Sequence, residues 1–158
     1  MFLKAMMTQH ERRRAAMSHA FKYQAYKAEI AAYIDSCMSL VAPKQNLEGT
    51  GISSGHRSDP TARAAIKLAD MPEYLRAKVL WVRAINDAWK ECREESKELA
   101  LLFERNFRLT GDILGPEHNT AVRAGIMEYL GITRATYYNW LEDACDILVY
   151  YATKRKLL

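Results

Sequence analysis

Glycine and proline are scarce in this chain, 7 and 4 among 158 residues. Strands joined by tight turns call for such residues every few positions, so the scarcity disfavours a β-rich fold and points to an all-α one. Cysteine is scarcer still. Cys37, Cys92 and Cys145 are odd in number and far apart, with no C-x-x-C pair. That spacing argues against a disulfide framework and a structural zinc site, and leaves three core or half-buried thiols in a reducing cytoplasm as the expectation. No apolar run approaches the ~20 residues that span a bilayer. The opening Met1-Phe2-Leu3-Lys4-Ala5-Met6-Met7 is too short for the core of a signal peptide. A cytoplasmic protein with no membrane partner is therefore expected.

Chemistry is sparse as well. His10, His19, His56 and His118 are scattered, and no carboxylates, histidines or cysteines share a site-defining spacing. The expectation is no metal, no cofactor, no catalytic residue and no enzyme. Gly49, Gly51 and Gly55 lack the strand and the Gly-Lys-Ser/Thr ending of a phosphate-binding loop. Ser54, His56 and Asp59 are neighbours on one glycine-rich stretch, which is not a preorganised triad.

Nor does one sign of charge dominate. The net charge is +4, from 23 basic and 19 acidic side chains. Residues 1–55 carry +3, residues 56–92 carry +2 and residues 93–158 carry −1. A nucleic-acid partner would have to be held by a local patch, since phosphate neutralisation supplies much of DNA affinity.

What is present is helical periodicity with caps. Thr8 and Glu11 have the spacing of a capping box and open a helix expected to run to about Leu40, striped by Met17, Phe21, Ala25, Ala28 and Cys37. Such a helix must pack on another helix of the chain or on a second copy, so a homodimer through it is one expected partner. Arg12-Arg13-Arg14 lies in its first turns and reads as a solvated basic face. Residues 43–58 read as a flexible Gly/Ser linker. Asp59-Pro60 restarts helix, carrying Ile66 and Leu68 to Ala69, and Asp70-Met71-Pro72 repeats the signal. Helices near 72–92 and 94–108 follow, with stripe Leu75, Val79, Val82, Ile85, Trp89 and Cys92. Ser96 is the cap that would divide them; one long helix is the alternative. Residues 109–119 read as a loop, with the next helix starting near Pro116.

The stretch from Ala121 to Leu158 carries the strongest pattern. Val122, Ile126 and Leu130 mark one face of a helix, and Gly131 follows where a left-handed C-cap is wanted. Thr133 then caps a second helix whose inward stripe is Tyr137, Leu141, Ala144 and Leu148, with Trp140 at its border. Helix, tight turn and helix are the grammar of a helix-turn-helix, here at about 116–152. The outer face of the second helix begins Arg134, Thr136, Tyr138 and Asn139, types that bond phosphates and base edges; Thr133 and Ala135, beside them in the chain, complete the expected DNA-binding set. Arg123, Lys154, Arg155 and Lys156 are the cations expected to add grip. Acidic Glu142, Asp143 and Asp146 follow directly.

Two blocks carry a family resemblance. One is residues 51–68, a Gly/Ser tract leading into Ser58-Asp59-Pro60-Thr61. The other is Leu130-Gly131-Ile132-Thr133-Arg134-Ala135-Thr136-Tyr137-Tyr138-Asn139-Trp140-Leu141. In this order they resemble the RinA/ArpU-type phage late-transcription regulators, whose C-terminal half is sigma factor region-four-like. The resemblance covers about residues 51–158. It implies an activator of phage late genes in a bacterial host cell, with double-stranded DNA and host RNA polymerase as partners. The expected architecture is a long N-terminal helix over residues 1–42, a linker over 43–58 and a helical DNA-binding domain over 59–158. Two other readings stay open at this point: a small terminase-like DNA-packaging protein, and a helix-turn-helix module that contacts RNA polymerase rather than DNA.

Overall fold

A computed structural model describes residues 6–41, 70–111 and 120–158. Among them the secondary structure is helical throughout, six helices with no strand: α1 Gln9–Phe21, α2 Tyr23–Val41, α3 Glu73–Glu95, α4 Lys97–Asn106, α5 Thr120–Leu130 and α6 Arg134–Lys154. The expected linker at 43–58, the helix start at Asp59-Pro60, the helix over 62–69 and the start near Pro116 lie outside the described residues.

The caps follow local chemistry. The Thr8 hydroxyl accepts from the Glu11 amide at 3.2 Å, and the Thr8 amide donates to the Glu11 carboxylate at 2.7 Å. That reciprocal pair satisfies amides that would otherwise lack partners at the start of α1. Ser96 divides α3 from α4, its hydroxyl accepting from the Leu99 amide at 3.0 Å.

The single helix expected to reach Leu40 is two helices. Lys22, at φ −93° and ψ 6°, interrupts the ladder, and its amide donates to the His19 carbonyl three residues back at 3.0 Å. The stripe differs too. Ala16, Ala20, Tyr23 and Tyr26 are buried, whereas Met17, Phe21 and Ala25 are half-buried and Ala28 is exposed. Small side chains win on α1 because they let it approach α6 closely. Tyrosines win on α2 where a partner takes the hydroxyl, as Asn86 does for Tyr23 at 2.6 Å. On α3 the buried set is Leu75, Val79, Trp81, Ala84, Ile85, Ala88 and Cys92, with Val82 and Trp89 at its margin.

The chain divides into two compact units, residues 1–25 with 80–158, and residues 26–79. In the second, Met71, Leu75 and Val79 pack with Ile30 and Tyr33, and Lys78 pairs with Glu29 while lying over the rings of Tyr26 and Tyr74. In the first, α6 is the central element. It buries Tyr137, Leu141, Ala144, Cys145, Leu148, Val149 and Ala152 against α1 on one side and α4 on another, and α4 also supports α5. Each large apolar side chain so buried contributes roughly 1.5–3 kcal/mol.

No described helix is long and apolar enough to cross a membrane.

Candidate nucleic-acid interface

Three residues end α5 and start α6. The Gly131 amide donates to Glu128 at 3.2 Å and the Ile132 amide to Met127 at 3.1 Å, with Gly131 at φ +64°. That pair of bonds is a Schellman motif, and the left-handed position in it favours glycine. Thr133 immediately caps α6, accepting from the Thr136 amide at 3.2 Å. The turn is short because both caps share one tripeptide.

A buried polar bond sets the first turn of α6 against α4. The Tyr137 hydroxyl donates to the Asn106 side-chain oxygen, and Asn106 is fully buried. Among the described residues its side-chain nitrogen has no partner. Burial pushes the Tyr137 phenol up to about 12, as expected where the charged form would lose its hydration.

The predicted site residues fall into two groups. Thr133, Arg134, Ala135, Thr136, Tyr138, Asn139 and Arg123 gather at the start of α6. Arg134, Ala135 and Asn139 are exposed there, and Thr136 is half-buried. Among the described residues nothing bonds the Asn139 side-chain amide. Tyr138, 36% exposed, accepts a hydrogen bond from Arg123 Nη1 at 2.6 Å, and the Arg134 guanidinium lies 5.6 Å from its ring centroid. Partial burial is the largest single influence on the Tyr138 phenol and raises it. The Arg123 and Arg134 contacts together outweigh it and hold the phenol below its ordinary 10.0. Thr133 is occupied by capping and also donates to the Thr136 hydroxyl at 3.0 Å, so its role here is to shape the turn.

Lys154, Arg155 and Lys156 lie at the opposite end of α6. Twenty residues of helix place them about 30 Å away. Arg155 is moreover held by Asp87, Nη2 to Oδ2 at 2.5 Å. The structure does not bring these three together with the first group, because a long helix separates in space what the sequence presents as one basic set.

The acidic residues after the turn meet a cation from α1. Arg13 bonds both oxygens of Asp146, at 2.6 and 2.9 Å, and reaches Glu142 at 2.9 Å. Gln9 adds a bond to Asp146 at 2.9 Å. The Arg13 bond, stronger than the opposing effect of burial, holds Asp146 below its ordinary 3.8. One arginine of the triplet is thus a structural counter-ion rather than a solvated one. Asp143 stays exposed on the same helix face as Ala135 and Asn139.

Two features carried no sequence signal. An apolar groove of about 280 Å³ runs between α1 and α6, lined by His10, Arg14 and Met17 on one side and Tyr138, Leu141 and Cys145 on the other. In the second, Arg105 of α4 lies over the Tyr129 ring of α5, 4.0 Å from its centroid. These residues are 24 positions apart on different helices, a distance over which no periodicity speaks. Among the described residues no group of His, Cys, Asp or Glu is arranged to hold a metal ion. No family model, no curated protein and no solved structure matches the chain.

Proposed function

We propose that the chain is a sequence-specific, double-stranded-DNA-binding transcription regulator, with α5 and α6 as its helix-turn-helix and the start of α6 as the recognition element. The carrying observation is the tripeptide Gly131–Thr133. It joins two helices that both rest on α4 and leaves Arg134, Ala135 and Asn139 exposed at the start of the second. A helix presented this way enters a major groove by its N-terminal residues. Arginine suits guanine there, and asparagine suits adenine. Arg123 and Arg134 beside Tyr138 supply cations for the flanking phosphates. The negative balance of residues 93–158 is softened by Arg13, which comes from outside that stretch to neutralise Asp146 and Glu142. The resemblance to RinA/ArpU-type regulators supports a narrower version: an activator of phage late genes that works beside host RNA polymerase, with no catalytic step of its own.

The test is selection of duplexes from a random pool by the purified full chain, followed by binding of the enriched site. An enriched sequence is expected, and Arg134→Ala should weaken binding to it by about tenfold, one good base contact. A pool that stays random after selection would falsify the reading.

One observation favours a second reading. Asp143 is exposed in line with Ala135 and Asn139, and a carboxylate on that face repels phosphate. A helix-turn-helix that docks on RNA polymerase tolerates it. Failure to retard any duplex at low salt, together with capture of purified polymerase, selects that reading.

A further inference from the structure

We infer that Arg105, stacked on Tyr129, is a DNA backbone-phosphate clamp flanking the recognition helix. This rests on the DNA-binding reading above and names a contact outside the residues that reading uses. Its placement comes from neighbours. Asn106, the next residue, is bonded to Tyr137 in the first turn of α6. Tyr129 lies two residues before the Gly131 cap. Arg105 and Tyr129 therefore sit beside the N-terminal end of α6. Arg123 and Tyr138 form a second arginine–tyrosine pair there. Arg123 and Tyr129 leave α5 about 120° apart, on either side of buried Ile126. The two pairs thus bracket the start of α6, as backbone contacts bracket a groove-reading helix.

The chemistry fits a phosphodiester. Tyr129 is 63% exposed although it is a large ring, and Arg105 is exposed too. Among the described residues no carboxylate pairs with Arg105. A guanidinium lying over a ring is held by cation–π attraction while its edge N–H groups stay available. It is thereby pre-oriented, and less side-chain freedom is lost when two of those groups grip a phosphate. Lysine has neither the plane nor the fork for this.

The test is the salt dependence of full-chain binding to a mixed-sequence duplex, followed by fluorescence anisotropy, because a phosphate contact needs no particular sequence. Arg105→Gln should lower the slope of log K against log salt by about 0.9 and weaken binding about tenfold at about 50 mM salt. The loss should be equal on any selected site, since a phosphate carries no sequence. Tyr129→Ala keeps the charge, so it should weaken binding about threefold with the slope retained. Lys90→Gln, an exposed cation on α3, is the charge-matched control. The clamp is overturned if the wild type binds and Arg105→Gln changes the slope no more than Lys90→Gln does. If the wild type binds no duplex at low salt, the DNA-binding reading and the clamp fall together. Both altered side chains are exposed, so thermal melting should stay within a few degrees of wild type. A variant that melts well below this is replaced by Arg105→Lys, which keeps charge without the fork and should retain the slope but lose affinity.

Discussion

Gly131 shows how much one residue does in this molecule. At φ +64° it turns the chain from α5 towards α6, and a Cβ there would meet nothing within 4 Å. The cost of a side chain is therefore one of backbone conformation rather than of collision. Gly131→Ala should destabilise the chain by about 1 kcal/mol, read as a lower denaturation midpoint with an unchanged slope. A loss near zero would mean that the left-handed turn is not populated. Tyr137 makes a different case. Among the described residues, removing its hydroxyl leaves a fully buried Asn106 oxygen without a partner, beside a side-chain nitrogen that already lacks one. Tyr137→Phe should cost about 1–3 kcal/mol, and Tyr137→Phe with Asn106→Leu should recover part of it. If the double variant is no better than the single, the bond is not what orients α6.

At the scale of elements, the attachment of α1 depends on pH. Asp146 is held below 3.8, first by the Arg13 bond. The folded state therefore favours its carboxylate, and that contribution is complete above about 3.8 and lost as pH falls through the lower folded value. His19, on α1, stacks on Trp81 with centroids 4.0 Å apart, and is held below its ordinary 6.5, first by burial and then by Lys22. The folded state favours neutral imidazole, so this contribution is complete above 6.5 and lost as acid forces a proton onto the ring. Both losses run the same way, in successive windows. Acidification from about pH 6.5 towards pH 4 should loosen α1 through His19 before the core melts, and the Asp146 contribution follows only below about 3.8. Trp81 fluorescence in a Trp89→Phe/Trp140→Phe background reads it; a flat signal over that range, with the near-ultraviolet dichroism also constant, counts against it.

The same scale shows what the residues disclosed on their own. Thr8 with Glu11, Ser96, Gly131 and Thr133 are legible because their bonds span three to five positions, the reach of a local pattern. The inward stripe Tyr137, Leu141, Ala144 and Leu148 is legible for the same reason. The break at Lys22 is not, since neither glycine nor proline marks it and tertiary packing imposes it. The choice of Ala16 and Ala20 over Met17 and Phe21 is not legible either, because it depends on how closely another helix approaches. In the candidate site, the start of α6 could be read, but the division of its cations could not. Arg13 and Arg155 look like free basic residues until Asp146 and Asp87 are placed beside them.

For the whole molecule, burial of ionisable groups makes alkali the second weak point. Cys92 and Cys145 are both pushed up by burial to about 12 from 9.0, and Tyr137 to about 12 from 10.0. Neutral forms are favoured in the fold. Their contribution is complete below about pH 9 and is lost as the pH rises from there towards 12, while the unfolded chain ionises first. The melting temperature should therefore fall progressively above pH 9. Thiol labelling checks the same burial near neutrality. Cys37 is half-buried and should react first, whereas Cys92 and Cys145 should react only in denaturant. Three equally fast thiols in the folded protein would contradict this arrangement.

The Arg13–Asp146 pair also carries a consequence in time. Its partners are 133 residues apart in the chain. A contact of that span closes late, since the entropy of a long loop must be overcome before the pair contributes anything. A ribosome delivers α1 well before α6, so α1 waits, while the intervening residues are made, without the helix that receives Ala16, Ala20 and Arg13. Docking of α1 on α6 is then a late step of folding.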